Sequence, residues 1–203
     1  MGRVIFNYDV YSSGDIKRAL YLNNLLPKDS VQLENVILTV KGVYLKLGII
    51  KSGNLDYEMK KVEGKNLMID CYSVIDCIVG CLGYKIQMSC RSCRNRNRCC
   101  NYSQSVFKND SESNERNLFK LSNDYLKQVG ILLLSQDSDR LYDLLRDIRN
   151  DVHLTRNGNI ISDEKVYSLK WCEMAIDFLF NFAYLLSENF NEFKRNNGCY
   201  IVE

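Results

Sequence analysis

The chain has 203 residues, 46% of them apolar, and a formal net charge of +2. That is enough for one domain with a buried core, and it excludes a whole-surface electrostatic commitment to nucleic acid, so any polyanion contact has to come from a local patch. Nine cysteines, an odd count with no secretory pattern at the N-terminus, argue against a disulfide framework and for reduced thiols or a metal site.

Val4 to Tyr11 alternate loosely, as in a short strand or an extended arm. A helix is expected from Asp15 to Leu26, beginning near Ser13 or Gly14 and punctuated by Pro27, the only proline. Leu33, Val36, Ile37, Val40, Tyr44 and Leu47 recur every three or four residues and predict a second helix capped by Asp29 or Ser30. The β-branched run from Thr39 to Ile50, with Gly42 and Gly48, competes as a hairpin turning near Gly53-Asn54; the periodicity favours helix. Asn66 to Ile86 is apolar on most sides and predicts a helix buried from several directions.

Residues 89–112 turn polar and irregular, with clustered Cys, Arg, Asn and Ser, and are expected to form a loop or insertion. Beyond them, Leu118, Leu121, Tyr125, Val129 and Leu132 mark a helix introduced by Ser113-Asn114. Leu141, Leu144, Leu145, Ile148 and Val152 mark another, introduced by Asp137-Ser138 and stopped by Asn157-Gly158. Asp163 to Lys194 reads as one long helix, apolar around most of its circumference and therefore central in a bundle or at an oligomer interface. The longest apolar run is read around Phe178 to Leu186, interrupted by Asn181 and too short to span a bilayer, so a cytoplasmic protein without a membrane partner is expected. The fold class is all-α: one helical domain over 1–203 with a cysteine- and arginine-rich excursion.

Chemistry concentrates at Arg146-Asp147-Ile148-Arg149-Asn150-Asp151-Val152-His153, which holds the only histidine. At about 100° per residue, Leu141, Leu145, Ile148 and Val152 share one direction, and Arg146, Arg149 and His153 lie together roughly 80–140° from it. An imidazole titrating near neutral pH beside guanidinium groups supplies proton transfer and phosphate binding without a metal. A solvated charged face and a cation near a helix C-terminus are the plainer alternatives.

The segment resembles the signature of the HEPN (higher eukaryotes and prokaryotes nucleotide-binding) family: an arginine, a polar residue, then a histidine four to six residues beyond. Arg146-Asp147 with six residues before His153 is one register, and Arg149-Asn150 with three is the other. The resemblance extends over 113–195. It implies a metal-independent endoribonuclease of prokaryotic toxin or phage-defence type, or an RNA-binding relative. It also implies a homodimer whose two motifs face a shared cleft, with an antitoxin or regulatory protein as a further partner. His153 would move the proton, Arg146 or Arg149 would hold the scissile phosphate, and Asn150 would orient the imidazole or donate to a phosphate oxygen. With one histidine per chain, separate acid and base groups would come from two protomers.

The second cluster runs from Cys90 to Cys100. Cys90 and Cys93 form a CxxC knuckle, and Cys99-Cys100 is a vicinal pair that would complete a structural zinc site, an iron–sulfur cluster being the lesser alternative. Vicinal cysteines sit awkwardly on one ion, so Cys77 or Cys81 upstream are alternative ligands, and reduced thiols without metal are the simplest reading. Arg91, Arg94, Arg96 and Arg98, interleaved with asparagines and followed by Tyr102, suit either an RNA-contacting loop or a solvated linker. The competing function is a non-catalytic module that binds nucleic acid or protein and carries a structural or redox-sensing cysteine site.

Overall fold

The computed structural model describes residues 12–92, 115–150 and 168–197. Among them lie seven helices and no strand: α1 (Ser13–Ala19), α2 (Leu22–Leu25), α3 (Val31–Lys51), α4 (Tyr57–Ser92), α5 (Glu115–Gln128), α6 (Gln136–Asn150) and α7 (Leu169–Asn197). The all-α expectation stands, and the competing hairpin over Thr39–Ile50 is replaced by continuous helix.

The helix expected over Asp15–Leu26 is two helices. Ser12 opens α1 with a capping box, its hydroxyl accepting from the Asp15 backbone N–H while the Asp15 carboxylate accepts from Ser12. The chain then breaks at Tyr21, whose left-handed φ of 53° interrupts the helical path and swings α2 inward, burying Leu22 and Leu25. Ser30 caps α3, accepting from Leu33 N–H at 3.1 Å. Gly53, at φ 77°, makes the turn foreseen at Gly53-Asn54, between two helices rather than two strands.

α4 is the hub. It packs against α3, α5, α6 and α7, and its buried residues Leu67, Met68, Val74, Ile75, Ile78 and Val79 face these neighbours in turn. It is 36 residues long, outrunning the expected 66–86 at both ends, and it carries the first residues of the expected loop, 89–92, as helix. Ser89 donates to the Lys85 carbonyl at 2.8 Å, satisfying its hydroxyl within the helix. Among the described residues, the helix long and apolar enough to span a bilayer is thus α4 and not the Phe178–Leu186 region. The stretch Tyr57–Ile86 is long and apolar enough to cross a membrane by length and composition, an 18-residue window within it having a mean hydropathy of 1.5, and 56% of that window is buried in the bundle. Burial against four helices supplies a physical reason for that composition.

α7 returns along the hub with Ala175, Leu179, Phe182, Ala183, Leu186 and Phe190 buried, which accounts for its apolar composition. Its far end is tied to α2 by polar contacts. Asn24 Nδ2 donates to Ser187 Oγ at 2.7 Å and to Asn191 Oδ1 at 3.2 Å, and Lys194 Nζ donates to Asn24 Oδ1 at 3.0 Å. α5 ends at Gly130, φ 76°, and its last carbonyls are taken by the N–H groups of Gly130 and Ile131. The loop after it reaches Ser135, whose hydroxyl accepts from Ser138 N–H at 3.3 Å and starts α6 two residues earlier than the expected Asp137-Ser138.

Candidate functional site

α6 carries the arginines of the signature segment. It is anchored by Tyr142, Leu145 and Ile148, which are buried, while Leu141 and Leu144 are only partly covered. Tyr142 was not among the expected anchors, yet it stacks on Phe182 at 5.9 Å and meets Tyr72 at 5.7 Å. Its hydroxyl donates to Asn123 Oδ1 of α5 at 3.0 Å, satisfying the polar end of an otherwise buried ring.

Arg146 and Arg149, one turn apart, project from the half-exposed flank of this helix. Arg146 pairs along its own surface with Asp143 at 3.0 Å and Asp147 at 3.7 Å. Such exposed pairs are worth about 0–1 kcal/mol and yield readily to a polyanion. Arg149 reaches across to α4, where its Nη2 lies 3.6 Å from Asp76 Oδ2. Asn150 ends the helix and is exposed. His153 and Asn157-Gly158 lie outside the described residues.

Asp76 is the residue sequence reasoning missed. Its side chain is 19% exposed, and among the described residues neither its Oδ1 nor the Tyr72 hydroxyl one turn earlier has a hydrogen-bond partner. Burial pushes its carboxyl up to about 6, outweighing the Arg149 charge and the neighbouring Tyr72, which both favour the carboxylate. Burial also raises the Tyr72 and Tyr142 phenols. The signal was available: Asp76 is an acid set inside the apolar Val74-Ile75 and Ile78-Val79 stretch of a buried helix. The arrangement places a carboxyl raised to about 6 beside the Arg149 guanidinium, with Arg146 one turn away on α6, a combination able to hold a phosphate and to exchange a proton.

The elevated Asp76 carboxyl has a consequence for stability. Between pH 3.8 and about 6 the folded chain keeps a proton that the unfolded chain releases, so stability falls as pH climbs through that window and stays reduced above it. Asp76→Asn, neutral at every pH, removes the fall. In urea titrations it should match the wild type near pH 4 and exceed it at pH 7.5 by on the order of 2–3 kcal/mol. An unchanged gap between the two proteins across that range would contradict the burial of the carboxyl.

The other expected sites are only partly within view. Cys90 and Arg91 fall on the last turn of α4, whereas Cys93, Arg94, Arg96, Arg98, Cys99, Cys100 and Tyr102 lie outside the described residues. Among the described residues no three His, Cys, Asp or Glu side chains converge on a metal position. Cys71, Cys77, Cys81 and Cys172 are free thiols. Cys71 and Cys172 are core residues; burial raises the first thiol and pushes the second up to about 11. Cys77 and Cys81 lie 4.0 Å apart on successive turns of α4, and their contact lowers the Cys77 thiol while raising that of Cys81.

On the opposite flank of α6, an open apolar hollow of about 340 Å³ lies between Leu141, Leu144, Trp171, Met174 and Phe178. Asp76, Arg146 and Arg149 do not line it. Comparison of the chain with protein families, with curated proteins and with solved structures finds no match.

Proposed function

We propose that the chain is a HEPN-like, metal-independent endoribonuclease of prokaryotic toxin or phage-defence type. The observation that carries this reading is the flank of α6. Arg146 and Arg149 project there together, the second braced by Asp76, on the helix that leads into the only histidine. In the reaction, the ribose 2′-oxygen loses its proton and attacks phosphorus as the P–O5′ bond breaks and the 5′-oxygen takes up a proton. The products are a 2′,3′-cyclic phosphate and a 5′-hydroxyl. His153 serves as a proton-transfer group, and the guanidinium groups offset the charge gathering on the phosphoryl oxygens. Arg91, Arg94, Arg96 and Arg98 supply further backbone contacts to the RNA.

The test is incubation with mixed RNA in the presence of a chelator, followed by end analysis. Cleavage with cyclic-phosphate ends is expected, because no step needs a metal. Intact RNA, or ends bearing 3′-hydroxyls, would refute the reading and leave a binding module.

A further inference from the structure

Two nucleophilic side chains that the ribonuclease reading leaves unused sit on α4. Cys77 and Cys81, one turn apart, bring their sulfurs to 4.0 Å, and both are half-buried at the edge of the core. At about 100° per residue, Cys77 shares an arc of roughly 60° with Ser73, Gly80 and Tyr84, and Cys81 lies about 40° beyond it. Ser73 and Tyr84 are exposed, and a Cβ built at Gly80 meets no atom within 4 Å. The solvent side of the thiol pair is therefore open where a side chain at position 80 would otherwise stand.

We propose that Cys77 and Cys81 form a bidentate site for a soft, thiophilic centre of low coordination number, Cu(I) or trivalent arsenic. Two thiols this close either bond to each other or share a third atom, and helix geometry decides between these fates. Side chains one turn apart hold their Cβ atoms about 5–6 Å from each other. A disulfide draws them to about 3.5–4.5 Å, so a direct bond would bend α4 where it packs against its neighbours. A bridging atom needs no such contraction. With bonds of about 2.3 Å to each sulfur, two sulfurs 4.0 Å apart subtend about 120° at the bridge, close to the angle of a three-coordinate centre.

The donor set selects the same class. Thiolates favour soft ions, and a structural zinc takes four protein ligands, whereas among the described residues no third His, Cys, Asp or Glu joins this pair. The remaining position is filled from solution, so the site differs in ion and in donor number from the zinc arrangement expected at Cys90, Cys93, Cys99 and Cys100. Contact with Cys81 lowers the Cys77 thiol against burial and the Asp76 charge, which both raise it, so a thiolate is at hand to begin the exchange. With phenylarsine oxide, two S–H bonds and the arsenic–oxygen bond give way to two As–S bonds and one water, and arsenic stays trivalent. With Cu(I), the two thiols release their protons to solvent and copper keeps its charge. This inference goes beyond the ribonuclease reading and does not depend on it, because the thiol pair exists whether or not the chain cleaves RNA.

Alkylation mapping on the full chain tests it. The reduced protein is held under anaerobic conditions with phenylarsine oxide, Cu(I) or Zn(II), pulsed with iodoacetamide and digested, and each labelled cysteine is read by mass spectrometry. In the free protein both Cys77 and Cys81 are expected to be labelled. Phenylarsine oxide, Cu(I) or both should slow labelling of the two together at least ~10-fold, and the effective probe identifies the source of the ligand. Cys77→Ser and Cys81→Ser, each expected to keep its helical circular dichroism, should strip protection from the thiol that remains, because chelation needs both sulfurs. Wild-type thiols that neither probe protects, or that resist labelling when free, would overturn the proposal. So would protection of the remaining thiol in both variants, or equal protection by Zn(II). RNA cleavage is not read in this experiment, so its failure is separate from failure of the nuclease assignment.

Discussion

Gly83→Ala is expected to lower the melting temperature by about 5–10 °C, the response of a chain this size to a loss of ~2–3 kcal/mol. A Cβ at that position would sit 2.2 Å from Ser122 Oγ, 2.4 Å from Ser122 Cβ and 3.0 Å from Ser122 Cα, so α4 and α5 must separate to admit it. Ser122 is fully buried, and retreat of its side chain alone does not relieve the contact with its own Cα. Gly80, one turn earlier on the same helix, is the control: a Cβ there meets nothing within 4 Å. Gly80→Ala should therefore gain up to ~1 kcal/mol from helix propensity alone. Adding Ser122→Gly to Gly83→Ala should restore much of the loss, whereas additive losses in the double variant would show that the two helices do not meet there.

His153→Ala is expected to reduce RNA cleavage by ~10²–10⁴-fold, the range supplied by a positioned general acid or base, with melting temperature and helical content unchanged. Arg149→Ala should also impair cleavage, and it carries a second readout that a surface arginine would not. It removes the charge that holds down the Asp76 carboxyl, so the fall of stability with pH extends to higher pH than in the wild type. Undiminished cleavage by the histidine variant would remove His153 from the mechanism. The HEPN-like assignment would fall with it, because the cleavage would then depend on other groups.

Local order in the residues was enough to read much of the architecture. Helical periodicity located α3, α6 and α7, and the cap at Ser30 was visible because a hydroxyl and an N–H three residues later satisfy each other without help from the rest of the fold. The same locality explains why Gly53 was seen as a turn while its flanks remained ambiguous. A left-handed backbone position marks a reversal, but the identity of the elements it joins depends on what covers them. The break at Tyr21 escaped notice because nothing in Leu20-Tyr21-Leu22 disfavours helix locally; burial of Leu20, Leu22 and Leu25 together compensates for the positive φ.

The candidate site divides in the same way. Arg146 and Arg149 were legible because three residues along one helix is a fixed geometric relation, independent of any partner. Asp76 was not, since its role rests on a contact with a residue 73 positions away, and only packing of α4 on α6 brings that carboxyl to Arg149 and strips its water. The two faces of α3 make the same distinction. Its apolar content was plain in the residue order, but that Leu33 and Leu47 enter the core while Leu38 and Leu45 stand exposed is decided by where α4 lies. Periodicity is a property of neighbours along the chain, whereas desolvation is a property of neighbours in space, and the chemistry of this protein depends on the second.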